Sequence, residues 1–125
     1  MKSMVAEAKI IGITLIVLLF TMATKQESEK AIAMAKYQTD RMNTALELDE
    51  EQSQNVASIN LKYAKKMNNL METGGNMFSK MGDMKKIKKG KNKELKKVLT
   101  HEQMEKYEEE LEPEFRKYFR NQMNK

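Results

Sequence analysis

The side chains with the most chemical potential in this 125-residue sequence are methionines and lysines crowded into one stretch. Met67, Met71, Met77, Met81 and Met84 lie in or beside it, from a total of twelve methionines. Thioethers are soft ligands suited to Cu(I), so one reading is a copper site. The other is that methionine fills a helical stripe or lends an adaptable apolar surface. Between Lys62 and Lys97 twelve lysines stand against only Glu72, Asp83 and Glu94, a net charge of +9. Phe78, Lys80, Met81, Met84, Lys85, Lys86, Lys88 and Lys89 interleave apolar groups with cations, the make-up of a surface that accepts many partners weakly. Catalysis has little to draw on: there is one histidine, no cysteine, and no nucleophile beside a recognisable base. His101 reads as a solvated residue at a helix start. No catalytic residue, metal ligand set or resident cofactor is expected.

Helices must position these groups, because apolar residues recur at three- and four-residue steps and no strand-like alternation competes. The first helix spans Glu27 to Leu46, with Ala31, Met34, Ala35, Met42, Ala45 and Leu46 on one face. The second carries Val56, Ile59, Tyr63, Met67 and Leu70 and ends at Thr73-Gly74-Gly75-Asn76, the strongest break in the chain. A third helix from Met77 to Val98 carries Phe78, Met81, Met84, Ile87, Leu95 and Val98 as its core stripe, with a bend or frayed stretch expected at Gly90. The fourth shows Met104, Tyr107, Leu111, Phe115 and Tyr118, and Pro113 predicts a kink or break near Leu111 to Pro113. From His101 to Glu114 it carries seven glutamates against Lys106, a net of −6, so it is able to cover the basic third helix.

Two helix starts share a pattern. Leu48-Asp49-Glu50-Glu51-Gln52 and Leu99-Thr100-His101-Glu102-Gln103 lie 51 positions apart. Asp49 and Thr100 suit an N-cap, and Gln52 and Gln103 stand three residues on, where a side chain reaches back to the N-cap N–H as a capping box. Leu99 and Met104 additionally have the spacing of a hydrophobic staple, which the first copy lacks because Ser53 takes the second position. These strings resemble the two LTXXQ motifs of the Spy/CpxP-like periplasmic proteins. Leu99, Thr100 and Gln103 match one motif in full; Leu48 and Gln52 match the other, with Asp49 in place of Thr. The resemblance covers roughly residues 28–122. It implies an all-α fold of about four helices in an elongated, bent helical-hairpin arrangement, dimerising antiparallel into a cradle-like surface. Periodicity alone leaves a closed four-helix bundle equally open.

Residues 1–23 read as a signal peptide: Lys2 and Lys9 precede the apolar run Ile10 to Phe20, and small residues follow at Thr21-Met22-Ala23. A short N-terminal anchor is the alternative. Residues 24–125 then form a single all-helical domain. With a net charge of +5, 33% charged residues and no cysteine, that domain has a thin core and no disulfide. Leader and resemblance together imply export to a Gram-negative periplasm. The expected function is an ATP-independent chaperone or envelope-stress adaptor that binds unfolded or partly folded proteins on the basic, Met-containing surface. The alternatives are binding to the sensor domain of an envelope-stress kinase and a copper-responsive role. Nucleic acid is not expected as a partner, since few aromatics accompany the lysines, and a membrane is expected only if the leader stays uncleaved.

Overall fold

A computed structural model describes residues 29–124, so the leader or anchor expected at 1–23 lies outside the described residues. The described chain is all-α. Helix α1 covers residues 29–46, α2 Glu50–Glu72, α3 Met77–Val98, α4 His101–Lys106 and α5 Glu112–Met123, with a π-helical turn at Tyr107–Leu111 joining the last two into one rod. No described helix is long and apolar enough to cross a membrane.

Each boundary has a local cause. At the end of α1, Glu47 takes a positive φ of 51° and Leu48 N–H donates to the Asn43 carbonyl at 3.4 Å. That is the six-to-one bond of a left-handed helix cap, made here by a non-glycine residue. Asp49 then caps α2 and Thr100 caps α4, each in a complete capping box with Gln52 or Gln103. Between α2 and α3, Gly75 at φ 133° turns the chain and Asn76 caps α3 by accepting from Ser79 N–H at 2.8 Å.

Helices α1, α2, α3 and the last rod alternate in direction, and α5 returns along α1. Met42 and Leu46 from α1, Val56, Ile59 and Tyr63 from α2, Leu95 and Leu99 around the end of α3, and Met104, Tyr107, Leu111 and Phe115 form one core. Asn60, fully buried, ties α2 to α1 by donating to Thr39 Oγ1 at 2.9 Å. Ala31, Ala35 and Ala64 let α1 and α2 approach closely further along. On the other side of α1, Arg41 grips Glu114 with two bonds of 2.9 Å, Tyr37 donates to the same carboxylate, and Tyr37 stacks on Tyr118 at 4.0 Å. Four helices thus share a core at the end holding the two capping boxes. From residue 65 to residue 86 nothing is buried, and there α2 and α3 continue as a two-helix arm.

Two sequence expectations about helix continuity are corrected. Helix α3 does not fray at Gly90 but runs unbroken to Val98. Gly90 is a spacer: a Cβ there would lie 3.0 Å from Tyr63 Oη, so its bareness lets the Tyr63 ring lie against α3. Pro113 does not break the last helix, although the regular α pattern is interrupted just before it, at Tyr107–Leu111. The ring and missing N–H of Pro113 conflict with a regular turn before it. The helix answers by widening, with Glu112 N–H donating to the Tyr107 carbonyl five residues back.

Candidate functional site

The two motif glutamines meet. Gln52 Nε2 donates to Gln103 Oε1 at 2.7 Å, and Gln103 Nε2 lies 3.3 Å from Gln52 Oε1. Each also reaches a chain end of the opposite hairpin: Gln52 Nε2 donates to the Val98 carbonyl at 3.2 Å, and Gln103 Nε2 to the Leu46 carbonyl at 3.1 Å. Their Oε1 atoms accept from Asp49 and Thr100 N–H. Helix ends leave orphan amides and carbonyls, and this reciprocal pair satisfies four of them with two side chains. Leu99 and Met104 are buried as a staple requires, and Leu48 packs half-buried against the core. The six motif residues therefore tie the helix ends together, and an open depression of about 310 Å³ beside them is lined by Asp49, Glu51, Gln52, Asn55, Lys97 and Val98.

The exposed chemistry lies on α3. At about 100° per residue, Phe78, Lys85, Lys89 and Lys96 recur on one outer face, with Met81, Lys86, Lys88 and Lys93 to either side. Phe78 is 88% exposed, Met77 64% and Met81 53%. These three form an apolar tip where the arm turns. The stripe expected from sequence fails here for a geometric reason. Steps of three residues each fall about 60° short of a full turn, so the series Phe78, Met81, Met84, Ile87 winds half-way round the helix. Ile87 reaches the core and Phe78 ends up facing away from it.

Two residues assigned to the outer surface belong to the inner side of the arm. Lys80 is half-buried, its Nζ 3.4 Å from the Met71 carbonyl on α2, and Met84 is half-buried as well. Lys85, Lys86, Lys88 and Lys89 are exposed as expected, and with Asn92, Lys93, Lys96 and Glu108 they line an open groove of about 540 Å³ between α3 and the π turn. Lys93 and Lys96 are not singled out by sequence pattern. The seven-four-seven spacing from Phe78 to Lys96 is the available signal.

The acidic last helix does not neutralise this groove. Only Lys88 makes an ion pair across it, with Glu112 at 3.4 Å, and Asn92 Nδ2 donates to Glu112 at 2.7 Å. Among the described residues Lys85, Lys86, Lys89, Lys93 and Lys96 form no ion pair within 4 Å. On the α2 flank Tyr63 and Lys62 both donate to Glu94. The Tyr63 bond, then the Lys62 bond, hold the Glu94 carboxyl below its usual range. The same hydrogen bond and the burial around it push the Tyr63 hydroxyl up to about 12. Lys91 is the lysine of α3 turned towards the aromatic rings of the core. Its ammonium donates to Gln38 at 3.1 Å and sits 6.0 Å from the ring centres of Tyr107 and Phe115. Loss of solvent pushes it down to about 8, against a partial pull from Glu112.

No group of three or more His, Cys, Asp or Glu residues among the described ones is placed to hold a metal ion. His101 is exposed at the first turn of α4. Met77 and Met81 are exposed, and Met67, Met71 and Met84 are half-buried. Fold and surface together define an all-helical chain with a glutamine-locked core and an uncompensated basic face. The chain belongs to the family described as Domain of unknown function (DUF4890), whose model matches residues 22–107. The match spans α1 to α4 and both capping boxes, ending where the π turn begins. No curated protein and no solved structure matches the chain.

Proposed function

We propose that the protein is an ATP-independent binding protein for unfolded or partly folded polypeptides, exported to the periplasm and kin to the Spy/CpxP-like chaperones and stress adaptors. The observation that carries this reading is the juxtaposition of Phe78, Met77 and Met81, all exposed, with lysines that have no acidic partner. Exposed thioethers adapt to many apolar side chains. Unpaired cations speed encounter with acidic chains and leave them free to depart. The reciprocal Gln52–Gln103 lock supports the kinship, because it gives the paired motifs a shared structural task. A homodimer would double the binding face.

The test is suppression of aggregation. The protein, added at near-stoichiometric ratio, should keep a reduced or heat-treated acidic client in solution. Reversal of Lys85, Lys86, Lys88 and Lys89 to Glu should slow capture most at low salt. Unchanged client aggregation at about tenfold excess sinks the proposal, and recovery of the protein from the cytosol after cell fractionation sinks its periplasmic part.

A further inference from the structure

A second feature of the same face concerns its shape. The outer face of α3 belongs to one uninterrupted helix, and a 22-residue helix is about 33 Å long. Along it the apolar tip comes first and the unpaired lysines follow in file: Met77, Phe78 and Met81, then Lys85, Lys89, Lys93 and Lys96, with Lys86 beside them. A file of cations with bulky apolar side chains at one end matches the interface of a bilayer, where headgroup charge is spread over an area and hydrocarbon lies just beneath.

We infer that the outer face of α3 docks onto anionic lipid bilayers, with Phe78 and Met81 entering the headgroup boundary and Lys85, Lys89, Lys93 and Lys96 pairing with lipid phosphates. Charge complementarity favours this occupant: four ammonium groups on one face, those of Lys85, Lys89, Lys93 and Lys96, form no ion pair within the described chain, and Glu108 is the one acidic residue lining the groove. Lys91 is excluded from the docking face because it points into the core. The inference stands apart from client binding, since a bilayer needs a file of charge on one face and an unfolded chain does not.

The chain contains no tryptophan, so Phe78→Trp in the full chain reports on the tip alone. Added vesicles of phosphatidylcholine with about one third phosphatidylglycerol should shift its emission to the blue, and phosphatidylcholine alone should not. Lys85, Lys89, Lys93 and Lys96 changed together to Glu in that background should weaken the shift at least about a hundredfold in lipid concentration, and salt near 0.5 M should do much the same. Retained helical circular dichroism would show that the variant is folded, and Lys→Gln at the same four positions, with a smaller loss, serves if it is not. Sedimentation with vesicles but no shift in the tryptophan emission would mean attachment through some other segment and would overturn the inference. Equal shifts on neutral and anionic vesicles would overturn the role of the lysines. A shift produced by an acidic unfolded protein and by no vesicle would overturn docking to membranes while leaving the client-binding proposal standing.

Discussion

At one end of the molecule four helices surround a core that contains Leu95, Leu111 and Met42 with almost no exposure; at the other, two helices stand against each other and expose Phe78. The same chain makes both ends, with the same kinds of residue. What differs is the number of neighbours. Where α1 and α5 flank α2 and α3, an apolar side chain has somewhere to go whichever way it points. Along the arm, only one face of each helix has a partner, so residues a third of a turn away stay in water. Stability should therefore be concentrated in the closed end and surface chemistry in the arm.

The sharpest break in that contrast comes from truncating one apolar side chain at each end. Leu95→Ala removes a fully buried side chain where all four helices meet, and such cavities cost about 2–5 kcal/mol. Phe78→Ala removes a larger side chain that is 88% exposed, and should change stability by no more than about 0.5 kcal/mol. Urea denaturation of the two variants measures both. Equal losses would mean that the arm tip is covered in solution.

Lys91 sharpens the comparison from the other direction, since it is the lysine of α3 held inside the closed end. Its folded pKa lies near 8, below its ordinary value of 10.5. Below pH 8 the ammonium is charged in both states and its desolvation opposes folding in full. Between pH 8 and 10.5 the folded form releases the proton first, so stability rises with pH. Tyr63 works oppositely: its folded pKa of about 12 exceeds the ordinary 10.0, so stability falls as pH climbs from 10 to 12. Unfolding free energy should peak near pH 10. Lys91→Met should raise stability at pH 7 by about 1–2 kcal/mol and abolish the rise above pH 8. The exposed Lys89→Met should do neither.

The glutamine lock gives a smaller effect with a cleaner signature. Gln52→Ala and Gln103→Ala should each cost about 1–2 kcal/mol, from lost capping and an orphaned carbonyl. Because they bond to each other at 2.7 Å, the double variant should fall short of the sum by about 1 kcal/mol. Additive losses would show that the two caps act separately.

Much of this is legible in sequence where the cause is local. The capping boxes at Asp49 and Thr100, the Gly75 turn and the four helices all follow from residues within a few positions of one another. That Gln52 and Gln103 touch is not legible, because a cap pattern specifies its own helix end and says nothing of a second one. Lys91 is indistinguishable in sequence from the lysines around it, since only the aromatic rings of the last helix and Gln38 mark it as internal. Pro113 reads as a break because its conflict is local, whereas its resolution, a π turn, keeps both Tyr107 and Leu111 buried and so draws on the tertiary core.

The two glycines within α3 carry the comparison down to a single methyl group. Helix propensity favours alanine over glycine by up to about 1 kcal/mol at an interior position. At Gly82, in the arm, an added Cβ meets nothing within 4 Å, so Gly82→Ala should gain about 0.5–1 kcal/mol. At Gly90, beside the closed end, the same Cβ would press on Tyr63 Oη at 3.0 Å and its ring carbon Cε1 at 3.3 Å. The ring cannot swing aside freely, because its hydroxyl is bonded to Glu94, which Lys62 also holds. Gly90→Ala should therefore cancel the propensity gain and leave a net loss of about 1 kcal/mol. It should also let the Tyr63 hydroxyl titrate below its present value near 12, visible as a phenolate absorbance rising at lower pH. If both substitutions stabilise equally, the Tyr63–Glu94 contact is loose and α2 and α3 are joined no more tightly beside the core than at the tip.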